Sequence, residues 1–233
     1  MGTSLIAQDI WSEQKVWNSQ DMLAYYQTHR CSASDLYQSE RFFLPDLLLR
    51  IRSVLDVGCA AGGFCRIMRS YNSSLRYVGL DITQELVDLA KQNYPEGEFL
   101  VGDGVHFPFP EESFDLVHSS GVLHLNSRYQ DMVKAMWGQT REYMLCDFRL
   151  TRGASFRGEM MQPPLPYFVL NVDELVSFLR GLKPRPAAIR AKGYIHEVAE
   201  SACLPQKEVI MACFLLEKRS SEALMMEINL NVA

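Results

Sequence analysis

The chain has 233 residues, of which 48% are hydrophobic and 22% charged, and a formal net charge of −5. That length builds one α/β domain with a full core or at most two small ones, and the composition is that of an ordinary soluble globular protein. The acidic balance argues against a dedicated nucleic-acid binder, and no apolar run reaches the ~20 residues that cross a bilayer.

The N-terminus lacks the basic and apolar regions of a secretory leader. Cys31, Cys59, Cys65, Cys146, Cys203 and Cys213 form no C-x-x-C pair. They are expected as small buried hydrophobes with reduced thiols, in a cytoplasmic setting. The five histidines share no ligand spacing with one another or with the cysteines, so no metal site is expected.

In chain order, residues 1–50 are expected to form a helical lid or cap. Ile10, Trp11, Val16, Trp17, Met22, Leu23 and Tyr26 recur at three- and four-residue spacings. A second helix is predicted from Ser34 to Leu49, with Pro45 placed to kink or restart it. The main domain, 51–217, then alternates. Strands are predicted at 53–57, 75–80, 98–102, 114–119 and 141–148. Helices are predicted at 63–71, 84–93 (capped by Thr83) and 127–137. Residues 149–170 carry Arg149, Arg152, Arg157, several prolines and Met160-Met161, and are predicted to be an irregular active-site loop. A helix at 172–181, capped by Asn171 or Asp173, precedes the connector Lys183-Pro184-Arg185-Pro186. Strands at 187–197 and 207–217 pair as a hairpin, and 218–233 form a tail. The expected fold is a doubly wound, seven-stranded, mostly parallel sheet with one antiparallel strand.

The stretch carrying most chemistry is Val54-Leu55-Asp56-Val57-Gly58-Cys59-Ala60-Ala61-Gly62-Gly63. It reads as a buried strand, a tight turn of small residues that lets backbone approach a ligand, and a helix start. As G-x-G-x-x-G it gives Gly58, Ala60 and Gly63, a dinucleotide fingerprint with one alanine. Asp56 argues against that reading, because a carboxylate there would repel a pyrophosphate. A cofactor with an ammonium and a sulfonium, and no phosphate, suits the acid. Three further apolar runs end in polar groups: Tyr77–Asp81, Phe99–Asp103 and Phe114–Ser120. Asp81 lies about 20 residues past the turn, the spacing of a ribose-binding carboxylate.

On these residues the chain resembles the class I S-adenosylmethionine-dependent methyltransferases, whose first motif D/E-x-G-x-G-x-G stands here as Asp56-Val57-Gly58-Cys59-Ala60-Ala61-Gly62, with Ala60 replacing the middle glycine. The resemblance implies S-adenosylmethionine as cofactor. Its expected contacts are Asp56, Gly58, Cys59, Ala60 and Gly62 at the methionine end and Asp81 at the ribose. Ile82 is expected on the adenine face, with Asp103, Gly104 and Ser119 alongside. His124, after the fourth strand, is expected to act as base or to position the acceptor, since imidazole titrates near neutrality. Tyr25, Tyr26, His29, Arg30 and Tyr37 form a dense aromatic and basic cluster, read either as an amphipathic helix with tyrosines at the rim of the core or as a lid with acceptor contacts. Arg149, Arg152 and Arg157 are candidates for an acidic group on the acceptor. No Asn/Asp-Pro-Pro-Tyr/Phe tetrapeptide follows the fourth strand. The expected acceptor is therefore a small molecule rather than a nucleic acid, with an RNA or protein acceptor, or a non-catalytic cofactor-binding module, as the alternatives.

Overall fold

The computed structural model describes residues 17, 20–161, 164–219 and 225–230. The expectations placed on Ile10, Trp11 and Val16 lie outside the described residues. The elements are α1 Gln20–Thr28, α2 Gln38–Leu48, β1 Ser53–Val57, α3 Gly63–Tyr71, β2 Arg76–Asp81, α4 Gln84–Asn93, β3 Glu98–Val101 and β4 Phe114–Ser119. They continue with α5 Tyr129–Gln139, β5 Thr140–Thr151, β6 Phe156–Met161, β7 Pro164–Asn171, α6 Val172–Arg180, β8 Ala188–Glu197, β9 Ala202–Cys203, β10 Glu208–Glu217 and β11 Met225–Leu230. Short 3-10 turns sit at Ala33–Asp35 and Leu123–Leu125.

The sheet runs β11-β8-β10-β5-β4-β1-β2-β3. Strands β1 to β5 pair in parallel, β10 is antiparallel to both β5 and β8, and β11 returns parallel to β8. β1 and β4 are buried along their whole lengths, as strands covered on both faces must be. Alternation divides their side chains between two cores. Leu55, Val117 and Phe214 pack with Trp137 on one face; Val54, Leu116 and Leu215 pack with Leu44, Leu48 and Met68 on the other. Among the described residues no helix is long and apolar enough to cross a membrane.

Three expectations change. The sheet has eleven strands among the described residues, not seven. Where an irregular loop was expected at 149–170, the described residues form the end of β5 and two antiparallel strands, β6 on β7. Leu165, Tyr167 and Val169 bury alternate side chains there, a period of two that the neighbouring prolines mask. Within the expected tail, β11 continues the sheet beyond β8. A smaller correction concerns helix ends. Thr83 makes no side-chain cap on α4, whereas Asn171 caps α6 by accepting from the N–H groups of Asp173 and Glu174.

Candidate active site

β1, β2 and β4 end together at one edge of the sheet, where an α/β fold opens a crevice for ligands. The cleft there holds about 950 Å³ of atom-free space, part of it open to solvent. The turn after β1 forms its floor. Gly58 has φ +81°, and a Cβ on it would lie 2.3 Å from Val122 Cγ2, so the turn passes under the loop after β4 only as glycine. The N–H groups of Gly58 and Cys59 both donate to the Leu80 carbonyl, at 2.7 and 3.1 Å, and that of Ala60 donates to Asp81 Oδ2 at 2.9 Å. Three successive turn amides are thus engaged by protein.

Asp81 ends β2 on the cleft wall. Its other oxygen, Oδ1, accepts from the Thr83 N–H at 2.9 Å. Each carboxylate oxygen therefore has one backbone donor and a further lone pair for a ligand. Burial raises the Asp81 carboxyl above its ordinary value, although these backbone donors oppose the shift. Ile82 and Gly104 stand beside it on the wall, and a Cβ on Gly104 would meet Met132 Cε at 2.6 Å. Asp103 also borders the cleft, but its oxygens serve the adjoining turn. Oδ1 accepts from the N–H groups of Val105 and His106, while Oδ2 faces His106 Nδ1 at 2.9 Å and Arg128 at 3.3 Å. Burial works to raise this carboxyl, and the hydrogen bonds overcome it and hold it down to about 2.

The structure brings Gly58, Ala60, Asp81, Ile82, Asp103 and Gly104 together on the cleft wall and leaves the other candidates off it. Asp56 is 1% exposed and lies behind the turn. It accepts from the Tyr77 hydroxyl, and its other oxygen sits 2.7 Å from His118 Nδ1. Its neighbour Val57 faces the cleft instead, because successive strand residues point to opposite sides. The Cys59 thiol packs where a Cβ on Gly79 would need to be, and burial pushes its pKa well up. Gly62 is closed over by Phe99 and Tyr94, so its smallness serves packing. Ser119 is buried, and Ser120 takes its place on the wall. His124 is also buried. Its ring packs edge-on to Tyr167 at 4.9 Å, and the wall at this turn is made by Val122 and Leu125. Burial, with Arg149 nearby, holds its imidazole well below its ordinary pKa, and Nδ1 has no hydrogen-bond partner among the described residues.

The N-terminal segment roofs the cleft with Trp17, Tyr25, Tyr26, Arg30 and Tyr37. His29 stacks on Tyr25 at 4.0 Å and does not line the cleft. Burial and the nearby Asp81 raise the Tyr26 phenol. Of the three arginines proposed for an acidic acceptor, Arg152 and Arg157 are exposed. Arg149 is buried and paired with Asp147, whose Oδ1 accepts from the Gly121 N–H at 2.6 Å. Burial works to raise Asp147, and the Arg149 guanidinium holds it below the usual carboxylate range. Sequence reasoning missed Asp147 and Glu40. Their signals were the i, i+2 acid–base pair on β5 and the glutamate three residues into α2, which reaches back to the Tyr37 N–H at 2.6 Å.

The family profile for a methyltransferase domain matches residues 55–142. A demethylmenaquinone methyltransferase from Thermotoga maritima is 31% identical over 74 residues, 31% of this chain and 32% of that protein. A probable tRNA methyltransferase 9B from Homo sapiens is 32% identical over 83 residues, 36% of this chain and 17% of that protein. The chain thus spans about a third or less of the length of these curated relatives. The crystal structure of an S-adenosylmethionine-dependent methyltransferase from Methanosarcina mazei shares the fold, with TM-score 0.60 at 15% identity, covering 78% of this chain and 98% of that one.

Proposed function

We propose that this protein binds S-adenosylmethionine in the cleft and methylates a small molecule at oxygen, nitrogen or carbon, a reading supported by the match of residues 55–142 to a methyltransferase domain profile. The observation that carries the reading is the Asp81 carboxylate, anchored by two backbone donors with lone pairs left for ribose hydroxyls. The turn after β1 adds to it. The amides of Gly58, Cys59 and Ala60 are engaged, so none of these three is left to hold a pyrophosphate. A sulfonium nucleoside needs none.

When bound, S-adenosylmethionine supplies an electrophilic methyl group for in-line displacement by the acceptor. The chain's own contribution is placement. Gly58 and Gly104 let Val122 and Met132 close in on the cleft wall, Asp81 fixes the sugar, and Tyr26 and Tyr37 cover the cleft and exclude water. Asp56 acts from behind, holding Tyr77 and His118 beneath the turn. His124 takes no proton in this reading. Its neutral ring props the turn that carries Val122 and Leu125.

A roofed cleft and a net charge of −5 favour a small acceptor. Similarity to a probable tRNA methyltransferase supports RNA as the second reading. The buried thiols of Cys59, Cys65, Cys146 and Cys213 support a reducing, cytoplasmic compartment. Titration calorimetry with S-adenosylhomocysteine and NAD tests the cofactor. Binding of the first alone is expected, and binding of NAD alone would overturn the proposal. Salt-sensitive binding of tRNA would move the acceptor to the second reading.

A further inference from the structure

Among the described residues Arg30 is the one lysine or arginine on the cleft wall. Its main chain rests on the start of α3, where a Cβ on Gly63 would come within 2.3 Å of the Arg30 carbonyl oxygen. Its guanidinium lies 3.9 Å over the Tyr37 ring and 5.0 Å from that of Phe64. One terminal nitrogen donates to the Asp35 carbonyl at 2.9 Å; the other donates to Glu40 Oε1 and to Ser120 Oγ, both at 2.7 Å. A guanidinium has five N–H donors, so the group is rigidly held with donors still open among the described residues.

Glu40 is engaged differently. It is 1% exposed, its Oε1 accepts from Arg30 and the Ser120 hydroxyl, and its Oε2 accepts from the Tyr37 N–H. The cation faces the cleft and the anion stands behind it. Through Ser120 the cation is tied to the end of β4, while Asp81 ends β2, and β1 lies between those strands. Two strand spacings, on the order of 10 Å, separate a fixed positive group from the ribose-binding acid. The N-terminus of α3, a nine-residue helix, adds its partial positive charge at the same end.

We propose that Arg30 receives the α-carboxylate of the methionyl part of the cofactor, so that the N-terminal segment supplies a cofactor ligand rather than an acceptor contact. The assignment rests on the cofactor reading above. Titration calorimetry of the wild type and Arg30→Ala with two ligands tests it: S-adenosylhomocysteine, and 5′-methylthioadenosine, which keeps the nucleoside and thioether but has no amino-acid end. Arg30→Ala is expected to weaken S-adenosylhomocysteine about 10- to 100-fold, the range of a charge-assisted hydrogen bond, and to change 5′-methylthioadenosine less than about twofold. Equal weakening of both ligands, or no weakening of either, overturns the assignment and leaves the cofactor reading standing. A wild type that binds neither ligand removes both. Arg30→Lys keeps the charge without the planar stack. If the alanine variant does not fold, the lysine variant carries the same comparison, with an expected loss of about fivefold for S-adenosylhomocysteine alone.

Discussion

The two halves of the sheet differ in what they do. The half formed by β3, β2, β1 and β4 has strands of four to six residues that break off into turns at one edge. Those turns make the floor and walls of the cleft. The half formed by β5, β10, β8 and β11 has three strands of ten to twelve residues, and no residue beyond Met132 lines the cleft among those described. β10 is buried at eight successive positions between two antiparallel neighbours. One half shapes the ligand site, and the other supplies core. The main tie from the long-stranded half to the site is Asp147, which receives the N–H of Gly121 on the cleft wall.

If the halves are separable in this way, core damage in one should leave binding in the other intact. Phe214 is fully buried on β10 against Phe148. Phe214→Ala is expected to cost about 3–5 kcal/mol of stability by emptying that volume. Urea unfolding measures the loss, and calorimetry well below the transition should show S-adenosylhomocysteine affinity unchanged within about twofold. A parallel fall in affinity would mean that the long strands set the cleft geometry. Asp81→Ala should do the opposite. It is expected to lose about 1.5–3 kcal/mol of S-adenosylhomocysteine binding, read by the same titration. Asp103→Asn sharpens the contrast within the cleft itself. Its carboxylate already serves Val105, His106 and Arg128, so the expected loss of affinity is below about 1 kcal/mol. A loss equal to that of Asp81→Ala would place the adenine end on Asp103.

The same division decides what could be read from the chain. The short parallel strands announce themselves, because each apolar run stops at an acid or glycine: Asp56-Val57-Gly58, Asp81, Gly102-Asp103. What such a pattern lacks is register. Asp56 stands where a strand-end acid would face the ligand, yet its place in β1 sets it beside Gly79 and His118 and turns it away from the cleft. Lone residue types also mislead about depth. His124 suits proton transfer by its chemistry, but the turn that carries it shows Val122 and Leu125 to the cleft. In the other half the signals were present and masked. Met226, Ile228 and Leu230 alternate with Glu227 and Asn229 in β11, a period of two too short to stand out near a terminus. Leu165, Tyr167 and Val169 alternate behind Pro164 and Pro166 in the same way. Arg30 was legible as part of an aromatic and basic cluster, but its grip on Glu40 and Ser120 joins residues ten and ninety positions away, which spacing does not reveal.

His124 stands at the seam between the halves, on the turn after β4 with its ring against Tyr167 of β7. Its imidazole is held well below the ordinary 6.5 by burial first and then by Arg149. The sign follows from linkage. The unfolded chain takes up a proton at this residue more readily than the folded one, so the stabilisation is complete above about pH 6.5 and is lost as the pH falls below it. One fully displaced proton is worth at most about 1.4 kcal/mol per pH unit. Between pH 7 and 5.5 that amounts to about 1 kcal/mol at most, comparable to the loss expected for Asp103→Asn. Urea unfolding of the wild type should show a midpoint that drops between pH 7 and pH 5.5, and His124→Phe should flatten the drop. His196, half-buried and also lowered by desolvation, is the internal control, because His196→Gln leaves the seam in place and should keep most of the slope. If His124→Phe retained the full wild-type slope, the imidazole would be taking up its proton without opening the seam, and the turn after β4 would belong to the mobile side of the cleft rather than to its fixed wall.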